Sequence, residues 1–172
     1  MAKSMKSVDD VVDRYTDPAD SPDGRAIARK LLKDWFGALH HKDRAAIPAM
    51  MSDDIVIELP LNESGKTDEG CYRVYRGKEE VMGFWEAAFK AEGQSYGFTD
   101  TDLTINADGS RIFLEARGHL TMSSGKTYRN RYVFRFDIAD GKIKHCKEYY
   151  NPIQSAYAFG RPIAGKIMLD AL

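Results

Sequence analysis

Cysteine and histidine are scarce in this chain. Its 172 residues include two cysteines, Cys71 and Cys146, and four histidines. The cysteines have no metal-ligand spacing and speak against a disulfide framework. No two histidines and an acid fall at a spacing such as H-x-x-x-H, so no metal ion is expected. No GxGxxG, phosphate loop or nucleophile elbow is present, so no cofactor is expected either. Charge of one sign is also missing. With 25 Lys+Arg against 26 Asp+Glu, the formal net charge is −1, and no basic, aromatic-interleaved motif points to nucleic acid. The apolar runs are too short to cross a bilayer. The opening residues carry Lys3, Lys6, Asp9 and Asp10 and lack the apolar centre of a signal peptide. Together these absences predict a soluble, cytoplasmic protein that works away from membrane and nucleic acid.

A chain of this length suits one domain that closes over its own core and a small pocket. Residues 1–22 read as a flexible polar arm, with one turn of helix around Val8–Tyr15. From Asp23, taken as a cap, Ile27, Leu31, Leu32, Trp35, Phe36 and Leu39 recur at helical spacing. Asp43 then caps a short second helix with Ile47, Met50 and Met51 on its inner side. Asp54–Leu59 reads as a strand, Pro60–Lys66 as a loop, and Cys71–Tyr75 as a returning strand. A third helix, with Val81, Met82, Trp85, Ala88 and Phe89 inward, follows Gly77 and ends near Gly93. Four strands complete the domain: Tyr96–Asn106, Arg111–Met122, Tyr128–Ile138 and Lys142–Asn151. The turns between them carry Asp108-Gly109, Ser123-Ser124-Gly125 and Asp140-Gly141. This order predicts an α+β fold, a cone-shaped curved mixed β-sheet wrapped around three helices. The boundaries are 1–22 for the arm, 23–154 for the domain and 155–172 for a C-terminal extension.

The last strand carries the most chemistry. Alternation puts Cys146, Glu148 and Tyr150 on one face and Lys147, Tyr149 and Asn151 on the other, and Pro152 ends the regular pairing. If the first face looks into the cone, desolvation moves the Glu148 carboxyl toward neutrality, where it can both give and take a proton. The competing expectation is a rim glutamate paired with Arg131 or Arg135, contributing little.

The run Tyr128–Phe136, the turn Asp140-Gly141-Lys142-Ile143 and the ending Glu148-Tyr149-Tyr150-Asn151-Pro152-Ile153-Gln154 resemble the SnoaL-like group of the nuclear-transport-factor-2-like superfamily. Within that group the phenazine-biosynthesis A/B proteins look most similar. The resemblance covers Asp23 to Gln154. It implies the cone fold, a homodimer packed sheet against sheet, and Glu148 as the acid–base residue. Two positions depart from the relatives. Lys78 stands where the phenazine proteins have histidine. Leu59 precedes Pro60, where ketosteroid isomerases carry their aspartate base.

The remaining candidates are weighed by their faces. Asn130 and Tyr132 share a face with Phe134 and Phe136 and are expected either to hold a ligand oxygen or to tie strands together. His119 is a second catalytic candidate, although its alternation with Arg117 and Thr121 points toward solvent. Trp35 and Trp85 are core residues that would also wall a cavity. The expected function is a cofactor-independent enzyme of isomerase, cyclase or lyase type on an apolar carbonyl compound. Glu148 would move the proton and Tyr150, Asn130 or Tyr132 would hold the oxygen. The alternative is a binding or scaffold protein of the same fold.

Overall fold

A computed structural model describes residues 7–163; residues 1–6 of the expected arm and 164–172 of the expected extension lie outside the described residues. The helices are α1 (Val8–Asp13), α2 (Pro22–His40), α3 (Ala46–Ala49), α4 (Gly77–Ala91) and α5 (Pro152–Phe159). The strands are β1 (Met51–Leu59), β2 (Arg73–Arg76), β3 (Glu92–Ile105), β4 (Arg111–Met122), β5 (Thr127–Tyr128), β6 (Arg131–Ala139) and β7 (Lys142–Tyr150). Strands pair in the order β2-β1-β7-β6-β4-β3, with β5 also on β4. The β1–β7 pair is parallel, and the other pairs are antiparallel. The sheet is therefore mixed, and it curls into a half-barrel with the helices against its concave face. Three register shifts between β3 and β4 add bends at that end.

Local sequence accounts for most of these elements. Helix α2 opens one residue earlier than Asp23 would give, because Pro22 takes the first turn and the Ser21 side chain accepts from the Gly24 N–H at 3.0 Å. Its stripe of Ala28, Leu31, Leu32, Trp35 and Ala38 is buried against the sheet. Asp43 accepts from the N–H groups of Ala45 and Ala46, both at 3.0 Å, and so nucleates the short α3. Met51, expected to end that helix, instead opens β1 as a buried residue. Strand β4 alternates between exposed and buried positions from Arg111 to Gly118, as a sheet with one packed face requires. In the β6–β7 turn, Asp140 (φ 51°) and Gly141 (φ 68°) supply the two positive φ angles of a tight hairpin.

Strand β3 opens at Glu92, ahead of the expected Tyr96, and two further regions differ from the sequence expectation. The strand expected over Tyr128–Ile138 is interrupted at Arg129–Asn130. There the Asn130 side chain accepts from the Arg131 and Asn151 N–H groups, each at 2.9 Å, in place of a regular ladder. Helix α5 crosses the expected boundary at 154/155, and Ser155, Ala156 and Ala158 are buried. Asn151 caps it, accepting from the Ile153 and Gln154 N–H groups. None of the described helices is long and apolar enough to cross a membrane.

Candidate active site

A cavity of about 900 Å³ lies between the concave sheet face and α2, α4 and α5. Its walls are mostly aromatic. The indoles of Trp35 (α2) and Trp85 (α4) meet edge to face at 6.1 Å. Phe36 of α2 packs its edge on Phe134 at 5.5 Å, and Phe134 stacks on Tyr132 at 5.1 Å. Gly118 makes this packing possible. A Cβ there would stand 2.8 Å from Cε2 of Tyr132, so the missing side chain is the space the tyrosine ring occupies.

Polar groups enter the cavity from β7, from the α4–β3 junction and from the last residues described. Glu148 lies on the inner row of β7 between the buried Cys146 and Tyr150, opposite Phe134 of β6. It borders the cavity, so some of its surface is accessible, but protein surrounds it. Burial raises its pKa to about 7, the charge of Glu92 adds to the rise, and the Arg73 guanidinium opposes it. Glu92, where α4 runs directly into β3, also lines the cavity. Its carboxyl too is raised to about 7 by burial, against the opposing Lys42 charge. Lys42 donates to the carbonyls of Phe89 and Glu92, both at 2.9 Å, and so fixes the end of α4 that carries this acid. The charge of Glu92 acts on Glu148, so ionisation of Glu92 makes ionisation of Glu148 harder. Near neutral pH the site therefore holds a carboxyl group able to exchange its proton.

Hydroxyl groups surround these acids. Tyr150 accepts a hydrogen bond from Arg73 Nη2, and burial pushes its phenol up to about 12, partly offset by Arg73. Tyr132 is raised well above the ordinary phenol by burial, then by the charges around it. The Tyr128 hydroxyl accepts from Asn130 Nδ2 at 3.0 Å and also interacts with Tyr132 and Ser155. These phenols keep their protons at neutral pH and can donate to a ligand oxygen.

The structure thus brings Glu148, Tyr150, Tyr132, Trp35 and Trp85 to one cavity. The paired-rim expectation for Glu148 does not hold. Arg135 bonds Asp137 instead, and Arg131 approaches Asp100 at 3.6 Å. Asn130 takes the strand-tying alternative. It is 1 % exposed, and its amide is occupied by Tyr128, the Asn151 backbone and the Arg131 N–H. It bears on the cavity only through Tyr128. His119 touches the cavity rim, but its Nε2 lies 2.7 Å from Thr99 Oγ1 in an exposed contact. Glu92, rather than His119, is the titratable neighbour whose charge acts on Glu148. Sequence reading missed Glu92 because Lys90-Ala91-Glu92-Gly93 looks like the solvated exit of a helix. It also missed Arg73 and Arg161, which line the polar end. Among the described residues no group of three His, Cys, Asp or Glu side chains converges on a possible metal position.

The sequence model of the SnoaL-like domain matches residues 32–146. The chain belongs to the SnoaL-like family. The Bacillus subtilis (strain 168) protein YesE, itself uncharacterized, is 24% identical over 135 residues, 77% of this chain and 87% of that protein. Among solved structures, a Bacillus subtilis "putative isomerase" superposes with a TM-score of 0.69 at 21% identity, covering 83% of this SnoaL-like chain and 99% of the other. A phenazine biosynthesis-related protein from Pseudomonas aeruginosa gives 0.65 at 20% identity, covering 92% and 96%. Identities this low establish the shared fold, and the chemistry has to be argued from the cavity itself.

Proposed function

We propose that this SnoaL-like protein is a cofactor-independent acid–base enzyme acting on an apolar, carbonyl-containing small molecule. The observation that carries the reading is the Glu148 carboxyl, raised to about 7 on the wall of an aromatic cavity. As a carboxylate, Glu148 takes a proton from the carbon beside the carbonyl. The electron pair moves onto the carbonyl oxygen, where the Tyr150 hydroxyl, backed by Arg73, donates a hydrogen bond to the developing enolate. Return of the proton from Glu148 to a different carbon completes an isomerisation. Its delivery to a departing hydroxyl completes a dehydration. Attack of the enolate carbon on a second carbonyl, with Glu148 protonating the new alkoxide, gives cyclisation or condensation. The aromatic walls exclude water and hold a flat substrate.

The test uses α-proton exchange of 2-tetralone in D₂O, followed by NMR. The wild-type protein should accelerate exchange, and Glu148→Gln should lower the enzymatic rate by about 10²–10⁴-fold, the usual contribution of a positioned general base. Exchange no faster than in buffer would leave the alternative, a SnoaL-like protein that binds without turnover. Exchange unchanged in Glu148→Gln would remove Glu148 from the chemistry.

A further inference from the structure

The polar end of the cavity contains more positive charge than acid–base chemistry needs. Two guanidiniums, Arg73 of β2 and Arg161 just beyond α5, both line it. Among the described residues, a single carboxylate forms ion pairs with them. Glu63, in the loop after β1, stands 2.7 Å from Arg161 Nη2 and 3.9 Å from Arg73 Nη2, through the same Oε1 atom.

That pairing is incomplete. The Arg161–Glu63 pair is close but poorly aligned, so Glu63 Oε1 makes no hydrogen bond although it is buried. Arg161 Nε is buried and has no hydrogen-bond partner among the described residues. A carboxylate facing a guanidinium squarely uses two parallel N–H groups, one of them often Nε. Here one N–H of Nη2 goes to Ser155 Oγ at 2.7 Å. The geometry is a fork with one tine idle. Both arginines are steered by aromatic faces, Arg161 over Phe159 at 4.9 Å and Arg73 over Tyr150 at 6.0 Å. A second cavity of about 540 Å³ shares Arg73 and Glu63, so the ion cluster also divides two spaces.

We propose that Arg73 and Arg161 form a carboxylate-binding subsite at the polar end of the cavity, with Glu63 as its internal occupant. The ligand is then a hydrophobic carboxylic acid, its ring system among the aromatic walls and its carboxylate on the two guanidiniums. This inference deepens the proposed function, since it rests on the same cavity being the binding site. It requires nothing of Glu148.

The test is titration calorimetry with 2-naphthoate and its neutral counterpart, 2-naphthamide, at pH 6. The acid should bind about tenfold or more tightly than the amide, as expected when a ligand gains charge-assisted hydrogen bonds. Arg73→Gln and Arg161→Gln should each remove most of that preference, and Arg161→Gln should leave amide binding in place. Glu63→Gln removes the internal competitor and should tighten acid binding about tenfold without affecting the amide, a gain that misfolding does not produce. Equal affinity for acid and amide, no binding of the acid, or a preference that survives both arginine substitutions overturns the proposal. Glu148→Gln should keep the preference for the acid. Absence of proton exchange in the wild-type protein with the preference intact would therefore count against the acid–base reading alone, and exchange without the preference against the subsite alone.

Discussion

Asn130 and Asn151 hold each other twice: Asn130 Nδ2 donates to the Asn151 carbonyl at 3.0 Å, and the Asn151 N–H donates to Asn130 Oδ1 at 2.9 Å. This reciprocal pair bridges the break between β5 and β6 to the point where β7 gives way to α5. The same Asn130 amide reaches the Tyr128 hydroxyl, so the clasp also orients a phenol at the cavity.

Replacing Asn130 by Ala removes the side-chain partners of the Asn151 N–H and carbonyl at a part-buried junction. Each such loss costs about 1–3 kcal/mol, so Asn130→Ala should lower stability by about 2–4 kcal/mol in urea unfolding. Asn130→Asp restores the acceptor for the Asn151 N–H but sets a carboxylate oxygen against the Asn151 carbonyl. Its stability should therefore improve on acidification, and a pH-independent deficit would argue against this assignment.

Stability should fall as pH rises through the range in which Glu148 and Glu92 titrate. Both carboxyls are raised from 4.5 to about 7, so between those values the folded chain binds more protons than the unfolded chain. Any stability advantage of these groups is complete below the unfolded pKa and is lost as pH climbs through the folded one. Glu148→Gln should flatten that decline and exceed the wild type by about 1–3 kcal/mol at pH 8. Thermal melts from pH 5 to 8 would show it, and parallel curves for the two proteins would contradict it.

The titration of Glu148 should respond in opposite directions to its two charged neighbours. Glu92→Gln removes a raising charge, so the Glu148 midpoint should move down. Arg73→Gln removes a lowering one, so it should move up. Carboxyl ¹³C shifts of labelled protein report the midpoint directly. A Glu148 midpoint indifferent to Glu92 would mean that the two acids do not form a pair.

Gly118→Ala should disturb the cavity without touching a polar group. The added methyl would lie 2.8 Å from the Tyr132 ring, and overpacking of this kind costs about 1–3 kcal/mol. The displaced ring has the cavity to move into, so binding of 2-naphthamide should weaken alongside the drop in melting temperature. Undiminished binding at lowered stability would place the strain elsewhere.

Much of this architecture was legible in the residues. That Cys146, Glu148 and Tyr150 share one face follows from strand period, while the inward direction of that face rests mostly on the family resemblance, and β4 keeps the ends its sequence suggests, Arg111 and Met122. What stayed hidden depends on distant segments meeting. Glu92 looks solvated until β3 folds it back along the cavity. Glu63 and Arg161, nearly a hundred positions apart, have no local pattern at all. Asn130 was undecidable between ligand and strand because only its partner Asn151, across the sheet, chooses. His119 shows the opposite case: its alternation pointed outward, and its contact with Thr99 is indeed exposed.

The position of β7 has a consequence for how the molecule comes into being. This strand lies between β1 and β6, pairing in parallel with one and antiparallel with the other, yet among the described residues it follows the six other strands along the chain. During synthesis the β1–β2 ribbon and the β3–β4–β6 meander must wait as separate pieces, each with an open edge, until the last strand emerges to join them. The strand that joins them also delivers Glu148. The acid is therefore absent from every nascent form with an unfinished sheet, and its arrival and the closure of its surroundings are one event.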